Sequence, residues 1–187
     1  TQLCLRCAAR DRPVAILGLG VLGQACAQAL AGFGFDVIGW SRSSKDVPGI
    51  TCLSGGDGLR QALERAEIIV LLLPLTPHTE NIINADTLAL MPKGATIINP
   101  GRGQLIDDEA LLKALDKDQL KHVTLDVFRE EPLPPEHPFW AHEKVTVTPH
   151  IASETRAKTA AEVIAENVRR GEAGEPFLHL VDRKLGY

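Results

Sequence analysis

Three polar side chains of this sequence have the groups needed to bind a carboxylate and to move a proton. Arg102 lies in a turn with a glycine on each side, which would let the guanidinium face a crevice, and this planar group matches a carboxylate in a bidentate pair. His150 follows the apolar run 145–148, and an imidazole can give a proton to a developing alkoxide and take it back in the reverse reaction. A carboxylate beside that ring, from Glu130 or Glu131, would favour its charged form and fix its orientation. These residue types predict proton transfer on a small anionic substrate.

A second set of residues has the spacing of a dinucleotide-binding turn. The motif G-x-G-x-x-G occupies residues 18–23, directly after the apolar run 14–17 and at the start of a helix-like stretch. In such a turn the first glycine allows the tight bend, the second lets the backbone approach a pyrophosphate, and the third leaves room for the helix against the strand. The free N–H groups at the start of the helix can then hold the pyrophosphate. The residues predicted to contact the cofactor here are Gly18, Gly20, Val21, Leu22 and Gly23.

The end of the second predicted strand indicates which dinucleotide is bound. An acidic residue at this position normally accepts hydrogen bonds from the adenosine ribose and repels a 2′-phosphate. The sequence has instead Ser41, Arg42 and Ser43, with no carboxylate before Asp46. The first serine can donate a hydrogen bond, and the guanidinium can pair with the phosphate and stack on adenine. We therefore predict binding of NADP(H) in preference to NAD(H), which remains possible.

The elements that position these residues alternate between strand and helix along the chain. The strand candidates are continuous apolar runs, which are typical of a parallel sheet covered on both faces. They are Val14–Leu17, Asp36–Trp40, Ile68–Leu73, Ala95–Asn99, His122–Val127 and Val145–Thr148. The helical stretches between them are Leu22–Gly32, Leu59–Ala66, Asp86–Met91 and Asp107–Leu115, and either Asp107 or Asp108 can cap the last of these. Ser153, a residue type that caps helices, is expected to start a long final helix. This alternation predicts an α/β fold, a Rossmann-like doubly wound parallel sheet with helices on both faces.

Most of the polar residues of interest follow the carboxyl ends of the predicted strands. They are Gly18, Ser41, Pro74, Asn99, Arg102, Asp126 and His150. Ligands of open parallel sheets bind outside this edge of the sheet. We therefore expect all of these residues around one crevice.

Length, charge and cysteine content restrict the class of protein. The chain has 187 residues, 44% of them hydrophobic and 24% charged, and its formal net charge of −4 comes without any basic block. We therefore expect no nucleic-acid partner and, since no apolar run is long enough to cross a bilayer, no membrane partner. Cys4 and Cys7 form a C-x-x-C pair without a second pair at zinc spacing, so reduced thiols and no metal site are predicted. The expected location is the cytoplasm.

Several stretches, in their order and spacing, resemble the nucleotide-binding domain of the D-isomer-specific 2-hydroxyacid dehydrogenases. They are Val14–Gly23, Leu72–Thr76, Ile97–Gly103, Leu125–Phe128 with Glu131-Pro132, and Thr148–Ala152. Further stretches resemble the glyoxylate/hydroxypyruvate reductase branch of that family. They are Trp40–Arg42, Glu131–Glu136 with Trp140, Val181–Arg183 and Gly186-Tyr187.

The resemblance implies a role for each candidate site residue. Glu131, directly before the proline, would be the partner of His150, and the histidine would be the acid/base. Arg102 would bind the carboxylate of a 2-oxoacid and polarise the adjacent carbonyl. Asp126 would hold the nicotinamide carboxamide, and Asn99 would support the turn that carries the arginine. Further cofactor contacts are expected at Pro74, Thr79 and Pro100.

The implied activity is NADPH-dependent reduction of a short 2-oxoacid, of the glyoxylate or hydroxypyruvate type, to the 2-hydroxyacid. The resemblance also implies a homodimer. Two alternatives stay open. A dinucleotide-sensing binding module would share the fold but would have no need of Arg102, Glu131 and His150 together. Formate oxidation on the same fold lacks a proton-donor pair, so the glutamate argues against it.

The resemblance also predicts how the chain divides. Family members have a substrate domain before the glycine-rich strand, where this sequence has only residues 1–12. We expect these to be the remnant of an upstream segment and residues 13–152 to form the dinucleotide-binding domain. Residues 153–187 would be a helix and tail that pack on a substrate domain absent from this chain. On this expectation the chain is a C-terminal fragment with little or no activity alone.

Overall fold

The chain forms two compact units that divide between His150 and Ile151. The structure is a computed structural model, and it describes residues 8–153 and 155–181. The predicted domain boundaries, after residues 12 and 152, stay a prediction. The packing of the C-terminal part on a further domain stays a prediction.

Some expectations concern residues outside the described part of the chain. These are the thiols of Cys4 and Cys7 and most of the C-terminal stretches that resemble the reductase branch. Across residues 8–153 and 155–181, no helix combines the length and the apolar character needed to cross a membrane.

Seven parallel strands form one sheet in the first unit. They are β1 (Pro13–Leu17), β2 (Asp36–Ser41), β3 (Thr51–Ser54), β4 (Ile68–Leu71), β5 (Ala95–Asn99), β6 (Leu120–Leu125) and β7 (Val145–Val147). Their order across the sheet is β3-β2-β1-β4-β5-β6-β7. Because all strands run the same way, their carboxyl ends lie along one edge of the sheet.

Helices cover both faces of this sheet. In the first unit they are α1 (Val21–Gly32), α2 (Gly55–Arg65), α3 (Ala85–Leu90) and α4 (Asp108–Asp116). Val14 and Ile16 of β1 pack with Ala27 of α1 on one face. The alternate residues Ala15 and Leu17 belong to the core on the other face, which α2, α3 and α4 cover. The predicted doubly wound α/β fold is confirmed.

The sequence reading missed the edge strand β3 and placed some boundaries wrongly. Thr51–Ser54 is short, has a hydroxyl residue at each end and is only partly buried, so it has no apolar run to reveal it. The predicted strands Ile68–Leu73 and His122–Val127 end earlier, at Leu71 and Leu125. The residues that follow these ends therefore lie in loops at the carboxyl edge of the sheet.

The second unit contains one long helix, α5 (Ala157–Ala173). The prediction that Ser153 starts this helix is wrong, because the N-cap is Arg156 and makes no side-chain cap hydrogen bond. The helix ends in Gly174, whose φ of +68° is the left-handed conformation common after helix C-termini.

Candidate active site

The turn between β1 and α1 is shaped by positions where a side chain does not fit. Gly18 has a φ of +113°, and a Cβ built there would lie 2.4 Å from the Leu72 carbonyl oxygen. A Cβ on Gly23 would lie 1.7 Å from the Gly18 carbonyl oxygen, so α1 can approach the turn only with glycine there. Gly20 differs, because a Cβ on it would meet no heavy atom within 4 Å. The fold thus requires the first and third glycines, whereas the second borders open space.

The start of α1 has the properties of an anion-binding helix N-terminus. Gly20 is the N-cap and makes no side-chain hydrogen bond to the first turn. A helix leaves its first N–H groups without partners inside the helix, and its dipole favours negative charge there. Val21 and Leu22 are 81% and 61% exposed, so this first turn is accessible. The open space and these N–H groups fit the pyrophosphate of a dinucleotide.

The end of β2 lies beside the glycine turn. The Gly18 N–H donates to the Trp40 carbonyl at 2.8 Å, which places the next residue, Ser41, against the motif. Ser41 is buried, and its hydroxyl donates to the Ser43 carbonyl at 2.7 Å. This serine therefore shapes the turn, and the side chains accessible to a ligand here are those of Arg42 and Ser43.

The loop after β4 is organised by one threonine hydroxyl. Thr79 Oγ1 donates to the Pro74 carbonyl at 2.7 Å and accepts from the Thr76 N–H at 2.8 Å. The predicted cofactor contact Thr79 thus has bonds inside its own loop. It holds the backbone of Pro74, the other residue predicted to contact the cofactor in this loop.

The turn after β5 carries Arg102 and is braced by Asn99. The amide Nδ2 of Asn99 donates to the Arg102 carbonyl at 2.9 Å, and its Oδ1 accepts from the Gly101 N–H at 3.1 Å. The support role implied for this buried asparagine is confirmed. Arg102 is exposed, and its Nη1 donates to the Gly101 carbonyl at 2.6 Å. Pro100, in the same turn, is half-buried.

Glu131 and His150 form a close pair. His150 Nδ1 lies 2.7 Å from Glu131 Oε2, and the Phe128 N–H donates to Oε1 of the same carboxylate at 2.9 Å. Residue 150 has a φ of +53°, so the pair includes a residue in the left-handed conformation. The geometry settles which carboxylate lies beside the ring, since it is Glu131 and not Glu130. Both side chains remain partly accessible.

The pKa of Glu131 lies below its ordinary value. Partial burial alone would raise it, but that effect is outweighed by the hydrogen bonds from the Phe128 N–H and His150 and by the positive charges of His150 and Arg102. The carboxylate is therefore ionised at neutral pH and can stabilise an imidazolium beside it. The charge of Arg102 links the turn after β5 to the acid–base pair.

Asp126 follows β6 and is buried beside the end of β7. Its side chain accepts a hydrogen bond from Thr148, with 2.6 Å between Thr148 Oγ1 and Asp126 Oδ1. The Asp126 N–H donates to the Asn99 carbonyl at 3.1 Å. Sequence reasoning missed the threonine, because its contact depends on the register between β6 and β7 and no local pattern signals it.

The Arg102 turn packs directly on the loop that carries Glu131. A Cβ on Gly103 would lie 2.0 Å from the carbonyl carbon of Phe128, so the two segments approach backbone to backbone. The sequence suggested that this glycine lets the guanidinium face a crevice. The structure shows a different reason, which is the space that the neighbouring loop occupies.

Arg129 adds side-chain bonds to the same junction. Its Nε donates to the Ile106 carbonyl at 3.1 Å, and its Nη2 donates to Asn81 Oδ1. The Arg129 Nε also lies 3.7 Å from Asp108 Oδ1. Burial raises the pKa of Asp108, although Arg129 acts in the opposite direction. Sequence reasoning missed Arg129 and considered the aspartate only as a possible helix cap, a role that Asp107 has.

Together these contacts assemble groups for binding and proton transfer at one edge of the sheet. Asn99 connects the Arg102 turn to Asp126, and the carboxylate of Glu131 holds one nitrogen of His150. With Nδ1 held, the other ring nitrogen, Nε2, is the atom that can exchange a proton with a ligand. The exposed guanidinium can bind a carboxylate.

The parallel sheet, the glycine turn and the accessible start of α1 define a dinucleotide-binding α/β domain. The sequence matches the family described as D-isomer specific 2-hydroxyacid dehydrogenase, NAD binding domain, over residues 4–152. The chain belongs to this family, as its motifs predicted.

Sequence matches with individual relatives cover most of this chain. Glyoxylate/hydroxypyruvate reductase A of Serratia proteamaculans is 44% identical over 174 residues, which are 93% of this chain and 56% of that protein. The chain thus spans little more than half the length of this curated relative.

Solved structures of relatives have the same fold. A D-isomer specific 2-hydroxyacid dehydrogenase from Xanthobacter autotrophicus Py2, in complex with NADPH and MES, is 49% identical with a TM-score of 0.94, covering 97% of this chain and 75% of that chain. An NADPH-dependent glyoxylate/hydroxypyruvate reductase from Sinorhizobium meliloti, in complex with NADP and sulfate, is 40% identical with a TM-score of 0.93. This match covers 97% of the chain and 58% of the Sinorhizobium chain.

Proposed function

We propose that this chain supplies the cofactor site and the acid–base pair for NADPH-dependent reduction of a short 2-oxoacid to the 2-hydroxyacid. Glyoxylate and hydroxypyruvate are the proposed substrate type. The observation that carries the proposal is the 2.7 Å contact between His150 Nδ1 and Glu131 Oε2, at the sheet edge that also bears the glycine turn. The names of the Serratia and Sinorhizobium relatives support the substrate type.

The acid–base pair supplies the proton of the proposed reaction. Reduced nicotinamide, when bound, supplies a hydride to C2 of the oxoacid. His150, oriented by the ionised Glu131, gives its Nε2 proton to the substrate oxygen and becomes neutral imidazole. In the reverse direction the same nitrogen takes the proton from the hydroxyl. The glutamate stabilises the ring while it is charged, keeps it oriented when it is neutral, and stays ionised itself.

Arg102 binds and stabilises negative charge in this proposal. Its guanidinium pairs with the substrate carboxylate and stabilises the charge that builds on the adjacent oxygen. Such stabilisation depends on a donor that is already in place before the reaction. Asn99 contributes to this preorganisation, because its two hydrogen bonds hold the backbone of the turn that carries Arg102.

The cofactor residues proposed from the sequence fit NADP(H) with the following division of roles. The pyrophosphate would lie at the N-terminus of α1, and the 2′-phosphate would lie at the end of β2. Asp126 would accept a hydrogen bond from the nicotinamide carboxamide. Pro74, Thr79 and Pro100, in the intervening loops, would make further backbone or side-chain contacts with the cofactor. The NADPH and NADP complexes of the two related structures support this preference.

Calorimetric titration of the 187-residue chain with NADPH and with NADH tests the cofactor assignment. We expect clearly tighter binding of NADPH, because a guanidinium and hydroxyls, with no carboxylate, follow β2. Tighter binding of NADH would contradict the assignment.

Turnover tests the reaction, in a longer protein that joins this chain to a substrate domain. Replacing the acid/base by His150→Ala should lower turnover of glyoxylate or hydroxypyruvate at least about a hundredfold while NADPH still binds. The control His122→Ala removes an imidazole that bonds Thr146 away from the site and should leave turnover unchanged. Near-normal turnover of the first variant would disprove the acid–base role. An intact protein that binds NADPH without turnover would favour a dinucleotide-sensing module.

A homodimer, a cytoplasmic location and the packing of residues 153–187 on a substrate domain also remain proposals from the sequence. Sedimentation equilibrium of the chain checks the first. Cell fractionation checks the second, and a structure of the longer protein checks the third.

A further inference from the structure

The hydroxyl of Thr148 donates a hydrogen bond to the Asp126 carboxylate from the end of the neighbouring strand. We propose that Thr148 is a positioning residue, which holds the Asp126 carboxylate in the orientation that accepts a hydrogen bond from the nicotinamide carboxamide. This inference rests on the proposed function, since it requires NADP(H) at this edge of the sheet. It gives a role to a residue that the sequence analysis contained only as part of the stretch Thr148–Ala152.

The backbone places the two residues side by side. The Thr148 N–H donates to the Leu125 carbonyl at 2.9 Å, which continues the pairing of β7 with β6 by one residue beyond the strand. Asp126 is the next residue after Leu125, and its own N–H is bound on the other side by the Asn99 carbonyl. The aspartate therefore has its backbone fixed from β5 and its carboxylate fixed from β7.

The contact has the properties of a strong, orienting hydrogen bond. Asp126 is only 5% exposed, so its carboxylate needs donors from the protein in place of water. The 2.6 Å separation lies in the range of charge-assisted O–H···O⁻ bonds, which are stronger than neutral ones. A carboxylate has about four acceptor positions, so a bond from Thr148 does not prevent it from accepting another from an amide donor.

Thr148 also connects the aspartate to the acid–base residue. Its carbonyl accepts the N–H of His150 at 3.1 Å, across a tight turn in which the histidine has the left-handed φ of +53°. Thr148 thus contacts both the Asp126 carboxylate, which is proposed to bind the cofactor, and the backbone of His150, the proposed proton donor. Only the bond to Asp126 requires the hydroxyl, since the contact with His150 is made by the backbone.

The test compares binding of two ligands by matched variants of the 187-residue chain. The ligands are NADP⁺ and 2′-phospho-ADP-ribose, which lacks the nicotinamide. The variants are Thr148→Val, which removes the hydroxyl at similar volume, and Thr148→Ser, which keeps it. Thr146→Val is the control, because this hydroxyl lies two residues earlier, on β7, and bonds His122 at 2.8 Å. Calorimetry gives the dissociation constants, and thermal unfolding reports the stability of each variant.

We expect Thr148→Val to weaken NADP⁺ binding about tenfold and to leave binding of 2′-phospho-ADP-ribose unchanged. Thr148→Ser and Thr146→Val should bind both ligands like the original chain. If Thr148→Val does not fold, Thr148→Ala, which removes atoms without adding any, provides the same comparison.

Two results would overturn the inference while the proposed function stands. One is unchanged NADP⁺ binding by the valine variant, and the other is an equal loss of affinity for both ligands, which indicates a structural role. A different result would overturn the proposed function itself, namely failure of the original chain to bind either ligand. The unsubstituted chain thus tests the function and the variants test the role of the threonine.

Discussion

The glycine turn and the acid–base region lie at the same edge of the sheet but are built in different ways. The turn at residues 18–23 depends on missing side chains, since a Cβ on Gly18 or Gly23 would overlap backbone atoms. The acid–base region depends on present side chains, above all the contact between Glu131 and His150. The overlap at Gly23 lies within six consecutive residues and is a local property, although the overlap at Gly18 is with the carbonyl of Leu72. Hydrogen bonds between residues on different loops require the whole sheet to be in register.

This difference has consequences for how each region responds to change. Residues 18–23 contain no titratable side chain, so their geometry does not follow pH. The acid–base region contains a carboxylate with a lowered pKa and several partly exposed groups. We therefore expect substitutions in residues 18–23 to lower stability through steric overlap. Substitutions in the acid–base region should act mainly through lost hydrogen bonds and lost charge.

The largest effect is expected from Gly23→Ala. The new Cβ would lie 1.7 Å from the Gly18 carbonyl oxygen, and the variant should lose roughly 3 kcal/mol or more in the free energy of unfolding. Urea denaturation measures this loss. Gly20→Ala is the matched control, since its Cβ meets nothing within 4 Å, and it should keep its stability while binding NADP⁺ more weakly. Equal stability of both variants would contradict the steric account of the turn.

A comparable packing defect can be introduced into the acid–base region with Gly103→Ala. Its Cβ would lie 2.0 Å from the carbonyl carbon of Phe128, so we expect a loss of about 2–3 kcal/mol by the same measurement. Gly56→Ala in α2 has no neighbour within 4 Å and should be neutral or stabilising by up to about 1 kcal/mol. If Gly103→Ala is as stable as this control, backbone packing does not define the junction.

A smaller loss is expected from Thr79→Val in the loop after β4. The substitution removes the donor to the Pro74 carbonyl and the acceptor for the Thr76 N–H, which should cost about 1–2 kcal/mol. Thr159→Val is the control, because this exposed hydroxyl bonds only within the start of α5 and its loss should cost less than about 0.5 kcal/mol. Chemical denaturation of both variants decides whether the loop depends on this hydroxyl.

The smallest effect on stability, and the most specific, is expected from Glu131→Gln. Because the folded-state pKa of Glu131 lies below its ordinary value of 4.5, ionisation of this residue favours the folded state above that pH. The contribution is lost as the pH falls through the lowered pKa. The stability difference between the original chain and the variant should therefore be present at neutral pH and shrink in acid. Unfolding midpoints from pH 7 to pH 3 measure it, and a difference independent of pH would refute the charge argument.

The difference between local signals and contacts of residues distant in the sequence also explains how much of this structure could be predicted. The glycine motif and six strands could be predicted because their signals are contiguous in the chain. The edge strand Thr51–Ser54 has no apolar run, and α5 begins without a capping side chain, so both lacked a signal. The family motifs indicated Glu131 as the partner of His150, and the geometry agrees.

Residues that act through long-range contacts were beyond the sequence. No local sequence pattern indicates the side-chain contacts of Thr148 and Arg129. The contact of Thr148 follows from the register of β6 with β7, and that of Arg129 follows from the approach of two loops. The reason for Gly103 was misjudged, because the Phe128 backbone that fills its space is distant in sequence. The catalytic and cofactor roles assigned to the site residues remain predictions that the experiments above address.

The short edge strand β7 has a dynamic consequence. It has three residues and pairs only with β6 in the sheet, whereas β1 has a neighbour on each side. Edge strands with few backbone bonds open at lower free energy than central strands, so its amide protons should exchange with solvent faster than those of β1. Fraying of this strand would release His150 while the nucleotide half of the crevice stays folded.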